Sequence, residues 1–229
     1  MSQSLSGQVA LVTGGSTPLA EAVCVALAQQ GVHVVVTGPL ADRLDSLVAA
    51  VAAVGGQAVP VPGPLETPAQ AEALVSAALG AFGRLDLVVW IAPFWNGGLI
   101  HEHSVSVWDR VLAGNLREPF LLMRAALPVL REQGSGQILA IGSDSALGAY
   151  ARDGAFNVAL HGLNALMDLV RLENAEHGIR VHVLAPGLAQ TQTHDADGQP
   201  NLTPADVAAW AVWVLTRPMH LRPNGPIVI

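Results

Sequence analysis

The chain has 229 residues, 51% of them apolar, and a formal charge of -7. That length suits one large α/β domain whose core needs no disulfides. The acid excess argues against nucleic-acid and anionic-membrane partners, which are bound through basic patches. The one cysteine, Cys24, sits in an apolar helical run and reads as a small buried hydrophobe, which fits a reducing compartment. With no basic-then-apolar leader and no apolar run of membrane-spanning length, a cytoplasmic protein is expected. Lysine is absent: all 11 basic side chains are arginine.

Taken in order, short apolar runs alternate with helical patterns. Residues 9–13 read as a strand. Residues 19–30 read as a helix that stops at Gly31, where a glycine can take the left-handed cap conformation. Residues 32–37 form a β-branched second strand, 43–54 a helix ending at Gly55-Gly56, and 57–62 a proline-flanked third strand. A helix over 69–82 leads to a fourth strand over 85–91. A long helical stretch covers 107–132, followed by a strand over 137–141. A second long helix covers 156–177, followed by a strand over 180–185, a helix over 204–215 and a short strand over 227–229. This alternation implies βαβ units and a parallel, doubly wound Rossmann-type α/β sheet of about seven strands with helices on both faces. The strands are nearly continuously apolar, as burial on both faces requires. With no linker and no repeat, residues 1–229 are read as a single domain.

Four segments carry a family likeness. They are Leu5-Ser6-Gly7-Gln8-Val9-Ala10-Leu11-Val12-Thr13-Gly14-Gly15, Gly83-Arg84-Leu85-Asp86, the stretch Trp108 to Arg117 around Asn115, and His177-Gly178-Ile179-Arg180-Val181 with Ala185-Pro186-Gly187. In this order and spacing the chain resembles the short-chain dehydrogenase/reductase (SDR) family. Its tail, from Leu202-Thr203-Pro204 to Asn224-Gly225-Pro226-Ile227, resembles an NADP-preferring branch.

The resemblance implies a nicotinamide cofactor held by a T-G-x-x-x-G-x-G turn. Here Thr13 and Gly14 are kept, while Pro18 and Ala20 replace the later glycines. Glycine lets the pyrophosphate approach the amides of a helix N-terminus, whereas proline has no N–H and adds a ring. Proline nonetheless suits a first helical turn. The basic residue expected after the second strand is replaced by Gly38-Pro39-Leu40, and the adenine-binding aspartate after the third by Pro64. N-N-A-G after the fourth strand is replaced by Trp90-Ile91-Ala92-Pro93.

The resemblance also implies an Asn, Ser, Tyr and Lys catalytic set. Asn115 and Ser143 match the first two. Without a gap, Phe156 falls at the tyrosine and Leu160 at the lysine, so neither proton donor nor ribose anchor is present. A register with Tyr150 as the acid puts Gly154 where lysine belongs and is rejected. Asn115 and Ser143 are therefore read as vestigial.

His101 and His103 lack a third metal ligand, so no metal is expected. Asp144 and Asp153 flank the site and read as solvated loop carboxylates or as a replacement acid. The aromatic residues Trp90, Phe94, Trp95 and Trp108 read as filling the cofactor groove, or else as walling a pocket for another ligand. The expectation is a protein without a cofactor: a pseudoenzyme, scaffold or non-catalytic subunit, forming a homo-dimer or tetramer or pairing with an active relative. The alternatives are an NAD(P)-dependent oxidoreductase with an atypical site, and a cofactor-independent enzyme using Ser143 and a nearby aspartate.

Overall fold

The computed structural model describes residues 3–93, 97–187, 202–218, 220–221 and 223–229. Phe94 and Trp95 lie outside these residues.

Seven parallel strands form one sheet in the order β3-β2-β1-β4-β5-β6-β7. They are β1 (Val9–Val12), β2 (His33–Gly38), β3 (Ala58–Pro62), β4 (Leu87–Ile91), β5 (Gly136–Ile141), β6 (Ile179–Ala185) and β7 (Ile227–Val228). The order reverses between β1 and β4, and in open α/β sheets ligands bind at such a switch point, beyond the carboxyl ends of the strands. Register is fixed by pairs such as Val9 with His33 and Ala10 with Leu87.

Helices α1 (Pro18–Gln29), α2 (Ala41–Ala53) and α7 (Pro204–Leu215) cover one face. Helices α3 (Pro68–Phe82), α4 (Val105–Leu112), α5 (Glu118–Gln133) and α6 (Gly154–Asn174) cover the other. Four of them start from a side-chain cap: Thr17 accepts from Ala20 N–H, Thr67 from Gln70 N–H, Ser104 from Val107 N–H and Thr203 from Asp206 N–H.

Strand parity sets which side chains enter which layer. On β4, Leu87, Val89 and Ile91 pack under α1 and α7, while Val88 and Trp90 pack under α3, α5 and α6. Trp90 is therefore a core residue, 1% exposed. Asp86, before β4, accepts from Val9 N–H at 2.9 Å and is gripped by Arg84 at 2.7 Å, which sets β4 beside β1.

Residues 107–132 are helical throughout, but not α-helical throughout. Between α4 and α5, Ala113–Arg117 form a wide π-type turn. Pro119 has no N–H to give to the Asn115 carbonyl, and Asn115 Nδ2 donates to the Val111 carbonyl at 3.0 Å. A side chain thus meets the carbonyl that the Asn115 amide would take in a regular helix.

On α6, Leu160, Leu163, Met167 and Val170 are buried in the core. Outward on α5 and α6 stand Phe120, Val158, Leu169 and Leu172. No helix among the described residues is long and apolar enough to cross a membrane.

Candidate functional site

The β1–α1 turn is built from close approaches. Thr13 Oγ1 accepts from Ile91 N–H at 3.1 Å, locking the ends of β1 and β4 together. Gly14 has φ of 75°, and a Cβ there would meet Ile91 Cβ at 3.3 Å. A Cβ on Gly15 would stand 2.5 Å from Leu44 Cδ2, and one on Gly38 would stand 2.8 Å from Ser16 Oγ. Only glycine lets these backbones meet.

Pro18 occupies the first helical position behind the Thr17 cap, where its missing N–H is one the helix does not use. Ala20 is fully buried in the core rather than facing the groove. Ala20 N–H and Glu21 N–H both donate to Thr17, so the first turn offers an anion the Leu19 N–H.

Beyond this turn lies a cavity of about 350 Å³. Thr13, Gly14 and Thr17 form its floor, Gly38 and Pro39 one side, and Pro64, Leu65, Glu66, Pro93 and Glu118 the others. Pro39, Pro64 and Pro93 wall the cavity without closing it, and Trp90 is not part of it. Sequence reasoning missed Glu118. The Glu-Pro pair is a helix-start signal inside a stretch whose apolar periodicity runs on unbroken. Burial, and then the neighbouring Glu66, raise the Glu118 carboxyl to about 7.

The other half of the site gathers at the ends of β5 and β6. Ser143 Oγ donates to Asp144 Oδ1 at 3.0 Å and accepts from Ser145 N–H at 3.2 Å. Asp144 N–H donates to the Pro186 carbonyl at 3.0 Å. Ser145 Oγ donates to Asp153 Oδ2 at 2.6 Å, so Asp153 is structurally engaged. Leu160 is buried against Gly142, one residue from Ser143: a Cβ on Gly142 would lie 3.7 Å from Leu160 Cδ2. Phe156 (6% exposed) and Leu160 (0%) join the cluster that contains Trp90. Asn115 is buried at the π-type turn. Tyr150 is 52% exposed.

His103 lies on the start of α6, where a Cβ on Gly154 would collide with its ring. Its Nε2 bonds the Gly98 carbonyl at 3.1 Å, while His101 is exposed. No group of three metal-ligating side chains occurs among the described residues.

The site thus has an open end and a packed end. At the open end, the glycine cradle, the cavity and its polar rim fit the adenosine half of a dinucleotide. At the other end, Phe156 and Leu160 are packed into the apolar core.

The chain belongs to the short-chain dehydrogenase family, whose model matches residues 8–201. It is 27% identical to an uncharacterised oxidoreductase of Staphylococcus haemolyticus, over 96% of both chains. It is also 30% identical to the glycine betaine reductase of Emericella nidulans, over 98% of this chain but only 19% of that much longer protein. Among solved structures, a metagenomic short-chain oxidoreductase in complex with NADP is 28% identical, with a TM-score of 0.85 and coverage of 99% and 98% of the two chains. A dehydrogenase/reductase from Sinorhizobium meliloti 1021 is 26% identical, with a TM-score of 0.90 and coverage of 99% and 94%.

The NADP-bound relative overturns the expectation that no cofactor binds. The physical reasons lie in this chain. Pro18 costs the helix no donor it uses, Trp90 points into the core, and the prolines line the groove rather than block it.

Proposed function

We propose that the chain is an NAD(P)-dependent oxidoreductase of the short-chain dehydrogenase/reductase family with an atypical catalytic end. The observation that carries this reading is the open cavity over the ends of β1, β2 and β3, floored by the glycine cradle. When bound, the nicotinamide supplies or accepts hydride. This chain's residues must then handle the proton, and Phe156 cannot. Ser143 with Asp144 is a hydroxyl–carboxylate pair on the same edge of the sheet, and it takes that part in this reading. Asn115 holds the backbone of the π-type turn behind it.

Titration with NADH and NADPH tests the first half, by quenching of tryptophan fluorescence. Saturable binding is expected. Oxidation of the bound cofactor by a panel of aldehydes and ketones tests the second. Asp144→Asn should lower that turnover about ten-fold or more, as loss of a proton-transfer group does.

A second reading is favoured by one observation, the burial of Phe156 and Leu160 in the core. On that reading the chain holds the dinucleotide without turning it over and serves as a non-catalytic subunit. Binding without turnover across the panel would select it. In either case, a homo-dimer or tetramer is supported by the exposed apolar side chains on α5 and α6.

A further inference from the structure

Glu118 opens α5 and lines the cavity together with Pro64 and Leu65, which come from beyond β3. Proline and leucine offer a base no side-chain hydrogen bond. Glu118 does have a carboxyl, and no hydrogen bond or ion pair to it forms among the described residues. We infer that Glu118 reads the adenine of the bound nucleotide, pairing its carboxyl with the amino edge of the base. This rests on the dinucleotide-binding reading above.

The chemistry is complementary. A protonated carboxyl presents one O–H donor and one carbonyl acceptor. Adenine presents an exocyclic amine donor beside a ring-nitrogen acceptor. Burial and Glu66 keep the proton on Glu118 up to about pH 7, so the neutral form is present near neutrality. The charged groups around it do not reverse this. Glu66, from the segment after β3, adds negative charge. Arg117, the preceding residue, donates from its guanidinium to the Glu66 backbone carbonyl. Farther along α5, Arg124 pairs with Glu72 of α3 at 3.3 Å.

The test compares NADH with its hypoxanthine analogue, in which a carbonyl replaces the amine, by calorimetry on the full chain at pH 6 and pH 8.5. NADH should bind about ten-fold tighter at pH 6, the worth of one good buried hydrogen-bond pair, and the margin should shrink at pH 8.5. Glu118→Leu should erase the discrimination. Glu118→Gln keeps a donor and an acceptor, so it should keep the discrimination and lose its pH dependence. Thermal melts of both variants establish that they are folded. Equal affinity of the parent for the two dinucleotides, or full discrimination in Glu118→Leu, would overturn the assignment while leaving cofactor binding intact. Failure of the parent to bind either dinucleotide would overturn both.

Discussion

Leu160 is fully buried beside Gly142, in the cluster that holds Trp90 and Phe156. A lysine at this position would put an ammonium into an apolar layer, and a buried, unpaired charge costs several kcal/mol or sheds its proton. Leu160→Lys should therefore lower the melting temperature sharply, by about 3 kcal/mol or more of stability. Leu160→Met, which conserves volume, should cost less than about 1.5 kcal/mol. Chemical denaturation of the two variants reads both values, and equal loss would contradict the packed-core account of this position.

The half-buried Glu118 and the buried His182 tie stability to pH with opposite signs. Glu118 has its folded-state pKa raised from 4.5 to about 7, so the folded state holds the extra proton and stability falls as pH rises through that window. His182 is lowered from 6.5 to about 4, by burial and then by Arg180, so its stability contribution is lost as pH falls through that window. The two slopes oppose each other where the windows overlap. Glu118→Gln should leave melting temperatures that drop toward acid. His182→Phe should leave ones that drop toward alkali. Differential scanning fluorimetry over this range checks both signs.

At the scale of elements, the proposed function makes a prediction about cofactor preference at the β2–α2 turn. Gly38 and Pro39 offer no cation to a 2′-phosphate, and the cavity they share contains Glu66 and Glu118. At pH 8.5, where Glu118 is ionised, NADH should bind about ten-fold tighter than NADPH, since a phosphate brought near carboxylates without a cation is penalised. Calorimetry with the two reduced cofactors decides this, and comparable affinities would contradict it.

The π-type turn makes a second claim at this scale. Asn115→Leu removes the side-chain bond to the Val111 carbonyl and should cost about 1–3 kcal/mol.

The strands and the order of elements were legible in the sequence because the sheet is buried on both faces, which writes continuous Val/Ile/Leu runs. The long helical stretch was legible too, but the π-type turn within it was not, because apolar periodicity carries on through residues 113–117. The reading of Trp90 as groove filler failed for a reason that parity contains. Val88 and Trp90 share one face of β4, and that face is covered by helices. Phe156 and Leu160 were placed by the family register, and both lie in the core cluster, Leu160 against Gly142. The cavity was not legible, because it is made by backbone approach at Gly14, Gly15 and Gly38 and by a wall, Glu118, inside a long helical stretch.

At the scale of the whole molecule, the outer faces of α5 and α6 carry Phe120 (48% exposed), Val158 (46%), Leu169 (55%) and Leu172 (72%). Apolar side chains gathered on adjoining helices are the material of a two-fold interface, in which each copy presents the same patch. Sedimentation velocity at micromolar concentration should report a dimer or larger. Leu169→Glu with Leu172→Glu should shift it to monomer with little change in the fold, because both side chains point outward.

The central claim is that the glycine-cradled cavity at the β1–β4 switch point still takes a nicotinamide dinucleotide, despite its prolines and its apolar catalytic end. The most direct measurement is a calorimetric titration of the full chain with NADH. Saturable binding with a Kd below about 1 mM, the upper end of the range in which enzymes hold their ligands, is the predicted result. No heat and no shift in melting temperature at several-fold higher NADH would contradict it.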